Sequence, residues 1–164
     1  MKIGILSDSH DHLTRLGEAV EILRIAGVEL LLHAGDFISP FSVPLLAKAG
    51  CPVKAVFGNN DGERVGLTQR FAAIGAEVRE RPFEYEHAGA RLLLLHEPFA
   101  LDTLVGSPHY DLVVYGHTHQ IDVRIPASGA ILLNPGEVCG WVTGKASGAI
   151  VDLTSRRVDS FDLA

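Results

Sequence analysis

Cysteine is scarce: Cys51 and Cys139 are the only two in 164 residues. Two thiols cannot make a disulfide scaffold, and a reduced pair is the simpler reading. No apolar run approaches the roughly 20 residues needed to cross a bilayer. The opening apolar stretch stops at Ser7-Asp8-Ser9-His10, too early for a signal peptide. These absences predict a cytoplasmic protein with no membrane partner. Basic charge is also lacking. The net charge is -6, with no Lys/Arg run and no basic tail, which argues against a long nucleic-acid groove. No repeat, low-complexity segment or interdomain linker is visible, so residues 1–164 are expected to form a single domain. A homo-oligomer through an exposed strand or helix stays open, with no specific residue to argue it.

What is present is an apolar, glycine-rich chain. Apolar residues make up 47%, enough for a substantial core. The first half alternates strand and helix. Ile3 to Leu6 read as a buried strand. Leu13 to Ala26 read as a helix with Leu16, Val20, Leu23 and Ile25 on its apolar face, stopped by Gly27. Glu29 to Leu32 and Pro52 to Phe57 are further strands. Pro44 suits the first turn of a helix towards Ala49, and Arg64 to Ala73 form another. This rhythm predicts a largely parallel sheet. The second half reads as paired strands: Phe83 to His87 with Arg91 to Leu95, Leu112 to Tyr115, Ile121 to Ile125 with Ala130 to Leu133, and Ala146 to Leu153 with Arg157 to Leu163. Short turn segments between them favour antiparallel pairing. The expected architecture has two sheets face to face, with helices outside.

The polar residues fall in a pattern. Asp8 and His10, His33 and Asp36, Asn59 and Asp61, His96, His117 and His119, and Asn134 each follow an apolar strand. In α/β folds ligands collect beyond the carboxyl ends of strands. Carboxylates packed on one rim repel unless a cation intervenes. The mixed N/O set suits Mn²⁺, Fe²⁺, Zn²⁺, Co²⁺ or Ni²⁺ better than Ca²⁺. Gly35 and Gly58 permit close backbone approach beside Asp36 and Asn59. Taken singly, each residue has a plainer role. Asp8 and Asp36 could be turn or cap residues, His96 a core histidine, and Asn134-Pro135-Gly136 a turn. His33, His87 and His109 are better explained as structural or surface residues. Cys139 lies nearer the rim than Cys51 and could line the pocket. The argument rests on the ordered recurrence.

Asp8-Ser9-His10, Gly35-Asp36, Gly58-Asn59-Asn60-Asp61, His96 and Gly116-His117-Thr118-His119 together resemble the calcineurin-like metallophosphoesterases. Asn134-Pro135-Gly136 is similar to the compact bacterial and archaeal phosphodiesterase branch. The resemblance runs from residue 3 to about residue 137. It implies an α/β fold: a four-layer α-β-β-α sandwich with two mixed central sheets. It also implies two divalent metal ions, most readily Mn. Asp8, His10 and His119 would hold the first, Asn59, His96 and His117 the second, and Asp36 would bridge them. The chain departs from the family pattern at Asn60, where many relatives carry His, and at Glu97-Pro98, where many carry Gly after the histidine.

The implied reaction is hydrolysis of a small phosphodiester, with a metal-bridging hydroxide attacking in line. Asp36 and Asn59 would set the geometry. Asn60 could hydrogen-bond the phosphate but cannot serve as an acid. His12 could protonate the leaving oxygen or simply cap the first helix. Gly136 or neighbouring amides could meet the phosphate, and Asp61 could either support a ligand or cap the helix near Arg64. Two alternatives stand beside this reading. One is an interaction scaffold of the same fold with little activity. The other is a phosphomonoesterase or nucleotide phosphatase, against which the missing imidazole at position 60 counts.

Overall fold

The computed structural model describes residues 1–164. In chain order the elements are β1 (Lys2–Leu6), α1 (Leu13–Ala26), β2 (Leu30–His33), α2 (Val43–Leu46), β3 (Val53–Val56), α3 (Arg64–Ala73), β4 (Glu77–Arg79), β5 (Phe83–His87) and β6 (Ala90–Leu94). After them come α4 (Leu101–Leu104), β7 (Leu112–Val114), β8 (Ile121–Arg124), β9 (Ile131–Pro135), β10 (Ala146–Asp152) and β11 (Arg157–Leu163). The six-stranded sheet has the order β11-β10-β1-β2-β3-β4, and the five-stranded sheet β5-β6-β7-β9-β8.

β1, β2 and β3 are almost continuously buried, as expected of parallel strands covered on both faces. Ile3, Ile5, Leu30, Leu32 and Val56 of the first sheet meet Leu92, Leu94, Leu112, Val114, Ile131 and Leu133 of the second in one core. On the outer side of the first sheet, α1, α2 and α3 bury Leu16, Leu23, Val43, Leu67 and Phe71. The fourth layer is thin. Only α4, four residues long, and its flanking loop lie over Leu93, Leu95, Val113 and Leu132.

Several expectations need correction. Ile25 is 72% exposed; at 100° per residue it lies about 200° around α1 from the buried Leu23, on the solvent face. β4 and α4 were not anticipated, because three or four residues with one inward side chain carry no readable period. The three expected hairpins, β5–β6, β8–β9 and β10–β11, are antiparallel as read; what the sequence did not show is the direction of the strands between them. β6 pairs parallel with β7, and β7 parallel with β9. Only β5, β8 and the β10–β11 hairpin run antiparallel to their neighbours. The β6–β7 crossover is an irregular loop around α4, and β8 folds back onto β9, so no long helix announces either connection. This direction is what assembles the site. The carboxyl ends of β1, β2 and β3 and those of β6, β7 and β9 can all open onto one rim.

Candidate metal centre and active site

α1 begins one residue after His12, whose Nδ1 accepts the Arg15 amide at 3.4 Å as a side-chain cap. Gly27 ends the helix in the left-handed conformation. The turn between β1 and α1 carries Asp8 and His10, and the loops after β2 and β3 carry Asp36 and Asn59. His96 follows β6, and His117 and His119 follow β7. Five of these seven residues have positive φ: Asp8 (53°), His10 (41°), Asp36 (59°), His117 (66°) and His119 (60°). Such backbone costs on the order of 1–3 kcal/mol per residue and concentrates at functional sites.

The side-chain atoms converge in two groups. In the first, His10 Nε2 lies 3.9 Å from Asp8 Oδ1 and 3.5 Å from Asp36 Oδ2, and His119 Nε2 lies 3.5 Å from Asp8 Oδ1. In the second, Asn59 Oδ1 lies 2.9 Å from His96 Nε2 and 2.8 Å from His117 Nδ1, while His96 Nε2 is 3.5 Å from Asp36 Oδ1. Asp36 therefore offers one oxygen to each group.

Proton placement tests whether a cation fits. The His96 Nδ1–H donates to the Ala34 carbonyl at 2.7 Å, so the neutral ring turns a bare Nε2 towards Asn59 Oδ1. His119 likewise gives Nδ1–H to Glu137 Oε2 at 2.7 Å and turns Nε2 towards Asp8. Lone pairs then face lone pairs, and a bound cation removes the conflict. Asp8 Oδ1 and His10 Nε2 are buried with no hydrogen-bond partner at all. Metal–ligand bonds of about 2.1 Å imply donor–donor edges of roughly 3.0–3.4 Å, close to the spacings here. Asp8, His10 and Asp36 alone form a cluster able to hold an ion.

Charge is consistent with this. Without metal, the neighbouring Asp8 carboxylate, with Asp36, raises the pKa of His10 against the opposing effect of burial. Burial lowers that of His96, but Asp36 more than reverses it. Burial raises Asp36, yet the contacts from His96 and Asn60 hold its carboxyl well below the usual range. The pocket is a concentrated negative field. Cys139 lies near His10 and His119, but its thiol donates to Glu137 at 3.0 Å. Burial and that carboxylate push the thiol to about 12, so it stays protonated and is a poor ligand.

The calcineurin-like phosphoesterase superfamily domain matches residues 1–156. The chain belongs to this superfamily. A phosphodiesterase of Methanocaldococcus jannaschii is 36% identical over 155 residues, covering 93% of both chains. A probable metallophosphoesterase of Methanothermobacter thermautotrophicus is 35% identical over 146 residues, covering 83% of this chain and 76% of that protein. The solved structure of an archaeal phosphodiesterase superposes with a TM-score of 0.90 at 33% identity, covering 99% of this chain and 100% of the other. Membership makes the chain a metal-dependent phosphoesterase and hydrolase.

The residues supporting this phosphoesterase site differ in part from expectation. The Asn60 side chain donates to Asp36 Oδ2 at 2.8 Å and its backbone amide to Oδ1 at 2.9 Å, so it clamps Asp36 instead of pointing outward. Asp61 does not cap α3, whose N-cap is Glu63. Its carboxylate accepts the amides of Asp36 (3.0 Å), Phe37 (2.7 Å), Ile38 (2.8 Å) and Gly58 (2.7 Å), tying together the loops that bear Asp36 and Asn59. The Gly136 amide is taken by Asn134 Oδ1 at 2.9 Å, so it does not face substrate. Asn134 Nδ2 braces the His117–His119 loop through Gly116 O and Thr118 Oγ1. His33 is buried, stacks on Phe37 with ring centroids 4.0 Å apart and accepts the Gly35 amide; burial pulls its pKa to about 3. Its role is structural. His87 stacks beside Tyr85, and His109 lies in the exposed loop before β7.

Three supporting residues had no signal at the sequence level. Glu137 takes the His119 proton and five other donors. Arg81 holds Glu97 through Nε and Nη2 and donates Nη1 to the Phe57 carbonyl at 2.9 Å. Ser7 gives its hydroxyl to Asp8 Oδ2. Glu and Arg in loops are too common to stand out, and each of these works through a contact distant in sequence or through burial.

Proposed function

We propose that the chain is a phosphodiesterase that binds two divalent ions, most readily Mn²⁺, through Asp8, His10, Asp36, Asn59, His96, His117 and His119. The observation that carries this reading is Asp36, whose two carboxylate oxygens face two separate groups of N/O donors. When bound, the ions supply Lewis acidity, an acidified water and neutralisation of charge on the phosphoryl group.

The protein's own residues do the rest. The Asn60 amides fix the Asp36 carboxylate in one rotation, and Glu137 and the Ala34 carbonyl fix the rings of His119 and His96. A diester seated between the two groups is then presented for in-line attack by water. His12 is the proposed proton donor to the leaving oxygen. Its Nδ1 accepts the Arg15 amide, so to donate from Nε2 and return to neutral imidazole the ring must first take a second proton on Nδ1 and release that cap. An imidazole that must cap a helix is only a part-time acid, which favours diesters with good leaving groups over monoesters. The net charge of -6 favours small diesters over long nucleic acid. Both cysteines are free, which suits a cytoplasmic setting. No helix is long and apolar enough to cross a membrane.

The test is metal analysis of gently purified protein together with a panel of mono- and diesters, using Asp36→Ala as control. Two ions per chain and metal-stimulated turnover favouring diesters are expected, with both lost in the variant. Equal or faster monoester turnover would make the chain a phosphomonoesterase. No turnover at full metal occupancy would make it a scaffold.

A further inference from the structure

Trp141 is the single tryptophan in the chain and is 63% exposed. Its ring stands on the rim of the site, with its centroid 6.3 Å from that of His10 and 5.8 Å from that of His12, tilted by 40° and 43°. The His10 ring in turn stacks on His119 at 5.2 Å. An indole left in water beside a polar pocket gains little for the fold, since its 150–250 Å² of apolar surface is mostly unburied.

The backbone that carries the ring is nevertheless held in place. The buried Glu137 carboxylate accepts the amides of Trp141 (3.1 Å), Val142 (3.1 Å) and Thr143 (2.6 Å) and the Thr143 hydroxyl (2.7 Å). Arg15 donates to the Cys139 carbonyl at the other side of the same turn. Since Glu137 also holds His119, one carboxylate fixes both a candidate metal ligand and the backbone from which the indole projects. Ordering a loop before binding removes an entropic cost that the ligand would otherwise have to meet.

We infer that Trp141 is a stacking platform for a planar ester group of the substrate, so the diesters this site takes are aryl or nucleoside diesters. The inference rests on the phosphodiesterase reading. A phosphate seated between the donor groups places one of its ester groups against the indole, where a planar ring stacks and an alkyl group gains less. The His12 ring is 5.8 Å from the indole, so the proposed proton donor and the platform border the same part of the rim.

Two measurements test this. With one tryptophan, emission excited at the red edge of the absorption band, where the three tyrosines do not absorb, reports the platform alone. Thymidine 5′-phosphate should quench the emission of the zinc-loaded protein saturably, and ribose 5-phosphate, with the same phosphate and no base, should not. An equal response to both overturns the platform. In the second, Trp141→Leu should lower kcat/KM for bis(p-nitrophenyl) phosphate about tenfold, the size expected of one lost stacking contact. It should change bis(trifluoroethyl) phosphate turnover less than about twofold, and Trp141→Phe should restore most of the aryl activity. Equal loss on both diesters, or no loss on either, overturns the inference. If the wild-type protein turns over neither diester, the phosphodiesterase reading fails, and the emission measurement still decides the platform.

Discussion

The Nδ1–H of His119 is held by Glu137 Oε2 at 2.7 Å, and this contact determines which nitrogen of the ring faces Asp8. Burial raises the Glu137 carboxyl, but Cys139, the Thr143 amide and His119 bring it down to about 2, so it is an anion at any working pH. Carboxylates behind metal-binding histidines typically contribute 10–100-fold in metal affinity. Glu137→Gln keeps the size of the side chain but cannot accept all six donors as an anion does. Its expected result is weaker metal binding by about 10–100-fold, measured by competition with a chelating dye, and a less ordered 137–143 loop, seen as altered Trp141 emission.

Arg81 should matter to the other half of the centre. It grips Glu97, next to His96, and reaches the Phe57 carbonyl, two residues before Asn59. Arg81 lies between β4 of one sheet and β5 of the other, so it fastens the two loops across the seam between the sheets. Arg81→Met should weaken the second ion about tenfold and spare the first. A titration resolving two binding steps checks this, and equal loss at both steps would show a general loss of structure. This contact also accounts for Glu97, which faces an arginine and not the substrate.

Gly58 tolerates no side chain. A Cβ there would lie 2.0 Å from Asp36 Oδ1 and 2.4 Å from the Asp36 amide. Gly35, at φ 101°, would place its own Cβ 2.7 Å from the Gly58 amide. Gly58→Ala must therefore push Asp36 out of position. The expected outcome is loss of bound metal and of turnover by more than about 100-fold, with a destabilisation of about 1–3 kcal/mol from overpacking. Elemental analysis and a thermal melt measure the two effects separately.

Acid should weaken the fold partly through Glu77. Its hydrogen bond from Lys54 (2.6 Å) lowers its pKa from the ordinary 4.5, with Arg79 adding to the effect. A depressed carboxyl stabilises the folded chain above its unfolded pKa, and that contribution disappears as pH falls below 4.5 through the lower folded value. Solvent screening keeps the pair to about 0.2–1 kcal/mol. Glu77→Gln should flatten this part of the acid limb in urea melts recorded as a function of pH, while leaving stability below the folded pKa unchanged.

The ligand candidates were legible because each follows an apolar strand and the strands are short and buried. Asp36 beside Gly35, and His117 beside Gly116, are visible in one dimension. Parallel pairing of β6, β7 and β9 was not, because the crossovers that usually betray it lack a full helix. Asp61 and Asn60 were seen as part of the motif, but their work lies in where their hydrogen bonds go. Asp61 collects four amides, and Asn60 turns back onto Asp36. Glu137 was hidden for a related reason. It follows a turn tripeptide, and its partners are the amides of a loop that closes over it, a geometry that no spacing encodes.

β1 has two neighbours made at very different times. β2 follows within thirty residues, but β10 arrives only when Ile3 can meet Val151. Until then the strand leading to Asp8 and His10 is an unpaired edge, open to the wrong partner, and closing it is a slow, long-range event. A ribosome must therefore translate past residue 152 before the first sheet can be completed around its central strand. The strand that carries Asp8 and His10 thus gains its second neighbour late, and chains stalled short of that point keep its edge open.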